Sequence, residues 1–430
     1  MKRKTLKKRL AALGAAAVLA VGMLAGCGGS NGGSNAGGSD NTGNEETGGG
    51  VDAAGAGGEE NAENPGGMGE TRGGKILYMS HNNSGGQYDF FVAFYTFACQ
   101  ELGYDFQVIY ADSQNDPQGN LNAVKNAYTS DVVGLIACQD GGIVNIMEEF
   151  PDLYVATLNS DMDSIFNEDG ASHAALEMDH FLGTMGDNYL SGVDSGRAFA
   201  EQVIEKGYRK VATMIFPPFA YPKHTVADAT FRQVIAEYNE TADEPIEIVG
   251  DEPTVLMFSP LEPSFFMEPA NSDLDAIVGM CSGVTFIYPT IVTAKADGTC
   301  PADLQLVTSG FENDEVMFQD CGEDKTISSI MIGTPESALY PLVMLDNAIQ
   351  GTQFADWTGP ERLDTGVLVI DSAADFAAIH DNSPLWDADL SKMAISWDDM
   401  KQCFLRWNPN ATYADLVELT QSVSIDSYLQ

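Results

Sequence analysis

Val132-Val133-Gly134-Leu135-Ile136-Ala137 and Ala276-Ile277-Val278-Gly279-Met280 are two short apolar runs, each closing a predicted strand just before a short polar loop. They occupy corresponding places in two successive sets of alternating strand and helix patterns. In the first set the strands fall at 75–79, 106–110, 132–137 and 153–158, with helical patterns near 90–102, 118–129 and 141–150. In the second they fall at 211–216, 246–250, 275–280 and 304–308, with helices near 187–206, 225–238 and 284–294. Strands alternating with amphipathic helices are the pattern of a parallel sheet covered by helices. Two sets of similar size predict two α/β lobes of like architecture, and the loops at carboxyl ends of such strands are where open α/β sheets bind ligands.

The helix expected after the first strand has Phe90, Phe91, Phe94, Phe97 and Ala98 at spacings that mark one buried face, and Gly103 stops it. A regular helix with a single buried face cannot turn both Phe90 and Phe91 inward, so one of the two is expected toward the space between the lobes. A further helix at 336–349 and strand at 366–370 follow the second set. Beyond Asp371 lie about 60 residues with helical patterns near 397–406 and 413–423 and three tryptophans, Trp386, Trp397 and Trp407. They read as a helical appendage packed on one lobe.

The amino terminus carries a different message. Lys2, Arg3, Lys4, Lys7, Lys8 and Arg9 precede an uncharged stretch from Leu10 to Gly26, the basic and apolar regions of an export signal. The apolar run is short and ends in small residues, which favours cleavage over a permanent membrane anchor. Leu24-Ala25-Gly26-Cys27 resembles the lipobox of bacterial lipoproteins, which implies cleavage before Cys27 and lipidation there, several acyl chains giving stable membrane anchoring. Residues 28–74 hold 18 glycines in 47 positions and almost no large apolar side chain, a composition that cannot offset its ordering entropy by burial. They read as a flexible tether of roughly 35–40 Å root-mean-square span. This arrangement fits an extracytoplasmic protein on the cell membrane of a Gram-positive surface.

The 430-residue chain has 21 Lys and Arg against 63 Asp and Glu. From residue 75 onward 14 cations face 55 carboxylates, a net charge near −41. Such a field repels nucleic acid and anionic lipid, excluding both as partners, and a soluble monomer is expected. Cys99, Cys138 and Cys281 sit in apolar runs as small core residues. Cys300 and Cys321 fall in loops, and the sequence leaves a disulfide between them open. No C-x-x-C pair suggests zinc, the five histidines are scattered, and neither H-E-x-x-H, G-x-S-x-G nor a phosphate-binding G-x-x-x-x-G-K-[ST] run occurs. Neither an enzyme nor a bound cofactor or metal is expected.

From Lys75 to Ile370 the chain resembles the type I periplasmic binding proteins, the ribose-binding-like sugar receptors of ABC importers. The resemblance rests on Ser80-His81-Asn82-Asn83 leading to Phe90-Phe91, then Leu102-Gly103-Tyr104 and Asp112-Ser113-Gln114-Asn115-Asp116-Pro117. Asp187-Asn188, Gly310-Phe311-Glu312 and Thr334-Pro335 follow in the same order as in that family. It implies two Rossmann-like lobes with parallel sheets, joined by three hinge crossovers near Asp187, Gly333 and 367–371, plus the C-terminal helical appendage. The expected division is 1–26 signal peptide, 27–74 lipidated cysteine and tether, 75–186 with 334–366 lobe one, 187–333 with 367–371 lobe two, and 372–430 appendage.

Ligand binding between the lobes follows from the resemblance, with delivery to an ABC permease. A neutral sugar needs apolar surface for its C–H faces and fixed polar groups for its hydroxyls. The first lobe offers Ser80, Asn83, Tyr88, Phe90, Phe91, Gln139, Asp140 and Asn159. The second offers Phe219, Tyr221, His224, Cys281 and Glu312. The chain also departs from the family's ribose readers. Asn159-Ser160 stands where they carry Asp-Arg, Ala227 replaces the arginine four residues before Phe231, Cys281 replaces an asparagine, and Gly333 replaces the crossover glutamine. Several charge-assisted bonds to hydroxyls are thereby lost, which argues against ribose itself. A nucleoside-binding lipoprotein, supported by Tyr189-Leu190-Ser191-Gly192-Val193, and a ligand-sensing receptor for a membrane signalling protein are the alternatives.

Overall fold

The computed structural model describes residues 73–111, 116–138, 141–158, 163–166, 170–186, 192–218 and 221–429. The export signal, Cys27 and all but the last two residues of the tether lie outside this set.

Helix α1 (Gly86–Leu102) follows β1 (Lys75–Ser80) through a turn at Gly85, whose φ is 109°. It ends at Gly103, a left-handed glycine (φ 79°), where the Gly103 and Tyr104 amides return to the carbonyls of Gln100 and Cys99. Strand β2 (Asp105–Tyr110), α2 (Pro117–Ala127), β3 (Val132–Ala137), α3 (Ile143–Glu149), β4 (Tyr154–Leu158) and β5 (Phe181–Met185) continue the first lobe. Asp116 caps α2 by accepting the Gln118 amide, and Pro117 fills the first helical position, where no backbone donor is needed.

The second lobe runs through α4 (Gly192–Glu205), β6 (Lys210–Ile215), α5 (Pro222–Asn239), β7 (Glu247–Ile248), β8 (Thr254–Val255), β9 (Ala276–Ser282), α6 (Tyr288–Asp297), β10 (Gln305–Ser309) and β11 (Ile327–Gly333). The chain then returns through α7 (Leu339–Ile349) and β12 (Arg362–Leu363) before β13 (Val367–Ile370). The first sheet has the order β12-β5-β4-β3-β1-β2, and the second β13-β11-β10-β9-β6-β7 with β8 on β6. All pairings are parallel except β11 with β13. The chain crosses between lobes three times, after β5, after β11 and between β12 and β13. The two apolar runs, in β3 and β9, hold equivalent places, each third from its outer edge.

Several expectations need correction. Strand β5 falls in a stretch where the sequence pattern gave no strand, and β11 was not anticipated because Ser328 and Ser329 interrupt its apolar pattern. Both residues are fully buried, and Ser328 satisfies its hydroxyl by accepting from Tyr208 at 2.8 Å and donating to the Leu306 carbonyl at 3.3 Å. The single helix expected at 284–294 is broken at Ile287 into a one-turn segment (Gly283–Phe286) and α6, whose second residue is Pro289. The strand expected at 246–250 shrinks to β7. All six cysteines in the described region are free thiols, Cys300 and Cys321 included.

The appendage departs from expectation most. It comprises α8 (Ala373–Asn382), α9 (Pro384–Asp387), short turns near Trp397 and Lys401, and α10 (Tyr413–Gln421), and it touches both lobes rather than one. On the first lobe Arg406 meets Asp346 of α7, with Nε to Oδ2 at 2.9 Å and a second contact from Nη2 to Oδ1. Its Nη1 donates to the Leu102 carbonyl at 2.8 Å, and Nη2 donates to the Tyr104 hydroxyl at 3.2 Å. The buried Glu336 carboxylate accepts the Ala394 amide at 3.2 Å and lies 3.5 Å from the Tyr428 hydroxyl. On the second lobe the His380 ring stacks on Phe318 at 4.2 Å and reaches Glu315 at 3.2 Å, while Trp386 packs on Phe311 and Phe318.

This double contact explains α1. The sheet covers one of its faces through Tyr78 and Phe106, and the appendage covers another through Leu385 and Trp397. Phe90 and Phe91 are therefore both in the core, at 0% and 2% exposure, contrary to the expectation that one faces outward. Helix α7 is likewise buried along all eleven residues, between the first sheet and α10. Among the described residues no helix is long and apolar enough to cross a membrane.

Candidate functional site

Ser80 ends β1, Tyr221 and His224 follow β6, and Glu312 follows β10, all at or just beyond the carboxyl ends of parallel strands. Gly310-Phe311-Glu312 follows β10, and Gly310 takes φ 88°, which turns the chain toward the first lobe. One Glu312 oxygen lies 3.4 Å from where a Cβ on Gly85 would stand, and Asn313 comes within 3.3 Å of the same point on Gly86. Glu312 therefore reaches the amino-terminal end of α1 across the lobe interface. Its other oxygen accepts from Thr285 Oγ1 at 3.1 Å. Burial raises its carboxyl above the usual range, with the Thr285 bond opposing and nearby Asp314 adding to the rise. Gly86 is held close as well, since a Cβ there would lie 2.3 Å from the Leu385 carbonyl of the appendage.

On the first lobe, Ser80 ends β1 and is buried. Its hydroxyl donates to the Asn82 carbonyl at 3.0 Å and accepts the Asn82 amide at 3.1 Å, so it shapes the turn into α1. His81 is held neutral by burial, its pKa drawn down to about 4. Asn83 is exposed and its Oδ1 accepts from Ser84 at 3.4 Å. Tyr88 shares a hydroxyl contact with Tyr110, the exposed last residue of β2, which the sequence reading passed over. Burial, with Tyr110 adding to it, lifts the Tyr88 phenol well above its ordinary value. Gln139, Asp140, Asn159 and Phe219 lie outside the described residues.

The second lobe gathers aromatics at its carboxyl edge. Phe216, immediately after β6, sits among Tyr221 (5.4 Å), His224 (5.9 Å), Phe258 (5.4 Å) and Phe286 (5.0 Å, edge-on). Tyr221 and His224 stack nearly parallel at 5.1 Å. His224 is buried and neutral, its pKa pulled down to about 3 by burial and then by Lys223, and its Nδ1 accepts the Phe216 amide at 3.4 Å. Cys281 is enclosed in β9 at 1% exposure, and burial pushes its thiol up, so its side chain packs and offers a ligand no polar group. Phe216, Phe258 and Phe286 were missed. Phe216 had a signal, ending a strand before Pro217-Pro218, whereas Phe258 stands in a stretch with no periodicity.

Among the described residues no cluster of three or more His, Cys, Asp or Glu could hold a metal ion. His173 lies within hydrogen-bond distance of the Ile165 carbonyl and His180 of the Pro151 carbonyl.

No protein-family model matches the chain, and no curated protein matches it in sequence. Solved structures do. An ABC-transporter solute-binding protein from Burkholderia graminis, in complex with D-arabinose, is 16% identical over 71% of this chain and 97% of that one, with a TM-score of 0.51. The arabinose-transporter binding protein from Shewanella sp. ANA-3, bound to L-arabinofuranose, is 16% identical over 74% and 98%, with a TM-score of 0.54. A periplasmic sugar-binding protein from Pseudomonas fluorescens is 13% identical over 83% and 99%, with a TM-score of 0.55. Two sheets of matching strand order, three crossovers and these near-complete overlaps together identify the chain's architecture as the two-lobed fold of the type I periplasmic binding proteins.

Proposed function

We infer that the protein is an extracytoplasmic receptor that closes its two lobes on a neutral carbohydrate-like molecule and delivers it to an ABC importer. The observation that carries this reading is Glu312. It is a half-buried acceptor on the second lobe that reaches the first at the N-terminus of α1, and no cation among the described residues pairs with it. Sugar hydroxyls are donors that such a group can take up when closure excludes water. The aromatic group around Phe216 adds apolar surface for C–H faces. Two of the structural neighbours named above are bound to arabinose and the third is a sugar-binding protein, and their likeness supports a saccharide ligand. In this reading the groups of the site bind and orient, and none performs chemistry. The lipobox residues ending in Cys27 support a lipid anchor, and the Gly-rich stretch behind it would hold the receptor near its permease and raise its effective concentration there.

A thermal-shift screen of pentoses, hexoses, disaccharides, nucleosides and amino acids tests the reading. A ligand that binds only the folded chain, present at 100 times its Kd, stabilises by about 2.7 kcal/mol and raises Tm by several degrees. A shift with saccharides is expected. Shifts with nucleosides alone would establish the nucleoside receptor instead.

A further inference from the structure

Helix α9 of the appendage is a single turn fixed at both ends. The Ser383 hydroxyl accepts the Leu385 amide at 3.3 Å, Pro384 fills the first helical position, and Ala388 closes the turn in the left-handed region with φ 57°. Leu385 is buried in the core, and its carbonyl stands so close to Gly86 that a Cβ there would come within 2.3 Å. The turn is thereby seated on the amino-terminal end of α1, the place that Glu312 reaches from the other lobe.

From this seat Trp386 reaches the second lobe. Phe311, Glu312 and Asn313 form an irregular link between β10 and the one-turn helix Glu315–Phe318. Trp386 grips that link on both sides of Glu312. Its ring packs edge-on against Phe311 at 5.8 Å, and its carbonyl accepts from Asn313 Nδ2 at 3.2 Å. The ring is itself walled by Phe318 at 5.4 Å and His380 at 4.4 Å. A segment outside helix and strand takes its position from the groups packed on it, and both neighbours of Glu312 are held by this one residue of the appendage.

We propose that Trp386 is a positioning residue for ligand binding, holding the 311–313 link so that the Glu312 carboxylate is aimed at the ligand. This rests on the saccharide-receptor reading and deepens it, because it makes the appendage part of the binding apparatus. Trp386 acts through Glu312 rather than on the ligand. A hydrogen bond to a charged acceptor is lost when the acceptor is no longer held in place, and losing one weakens binding about tenfold or more.

The test measures calorimetric Kd and urea midpoints with arabinose, xylose, glucose, galactose and maltose. Binding is read well below the unfolding transition, where a loss of stability alone leaves Kd unmoved. Trp386→Ala is expected to weaken binding about tenfold, Trp386→Phe to restore it to within about twofold by keeping a ring on Phe311, and Asn313→Ala to weaken it about threefold. In a Glu312→Ala background, Trp386→Ala should change Kd by less than about twofold, since no carboxylate is left to position. If Trp386→Ala does not fold, Asn313→Ala at its exposed position decides, and an unchanged Kd there overturns the proposal. With a wild type that binds a saccharide, a folded Trp386→Ala within about twofold of it, or an equal loss that persists without Glu312, overturns this proposal alone. A wild type that binds none of these sugars overturns it together with the receptor reading.

Discussion

The appendage stands on the two lobes in different ways. Against the first, the Arg406 guanidinium is 11% exposed, Asp346 is fully enclosed, and hydrogen bonds to Leu102 and Tyr104 occupy the remaining polar atoms of the pair. Against the second, His380 is 25% exposed and its carboxylate partners Glu315 and Asp381 are each 67% exposed. A buried pair with its hydrogen bonds satisfied costs a great deal to break from one side, because the partner is left charged and dry. An exposed pair is weakened by water and salt. The appendage therefore belongs energetically to the first lobe and rests on the second through contacts that a hinge can part and remake.

The largest expected effect comes from removing Arg406. Arg406→Ala leaves Asp346 buried with only the Tyr104 hydroxyl, and urea denaturation should show a loss of about 3–5 kcal/mol. A loss below about 1 kcal/mol would mean that the two footings are alike.

Glu336 sharpens the same contrast through pH. Burial raises its carboxyl to about 7, partly opposed by backbone hydrogen bonds and Tyr428. Between about pH 4.5 and 7 the native chain keeps a proton that the unfolded chain has released, so this group's contribution falls as pH rises and stays low above 7. The full change is roughly 3 kcal/mol. Glu336→Gln should flatten that part of the stability profile, seen as urea midpoints at pH 4.5 and 7.5 that differ less than those of wild type. Equal differences would show that Glu336 is ionised at both pH values.

The smallest effect is expected at the second footing. Burial tends to lower the His380 pKa, but Asp381 and Glu315 outweigh it and hold it above its ordinary value. A raised histidine stabilises fully below its unfolded value near 6.5, and that contribution fades as pH rises through the folded pKa. At this exposed site His380→Ala should cost under about 1 kcal/mol at pH 6 and less at pH 8. A loss matching that of Arg406→Ala would erase the asymmetry.

The alternation of strands and helices was legible because parallel strands and their covering helices leave local patterns, and Gly103 marked the end of α1 through its own backbone freedom. Phe90 and Phe91 were misread because the second buried face of α1 is supplied by Leu385 and Trp397, about 300 positions away, and no local window contains that fact. The wholly buried α7 was predicted as a helix, but its setting between the first sheet and α10 was not visible. Glu312 was picked out through the family resemblance of the Gly310-Phe311 pair it follows. Phe258 could not be, since its stretch shows no periodicity.

The contact from Arg406 to the Leu102 carbonyl spans 304 positions. During synthesis the second sheet can pair from a nearly continuous stretch, with only β13 arriving late. The first begins earliest in the chain and cannot complete its packing until α7 and Arg406 have emerged. Its apolar rings must wait, open to aggregation or capture by a chaperone, while the later lobe assembles. The residues nearest the carboxyl terminus thus set the moment at which the amino-terminal lobe becomes stable.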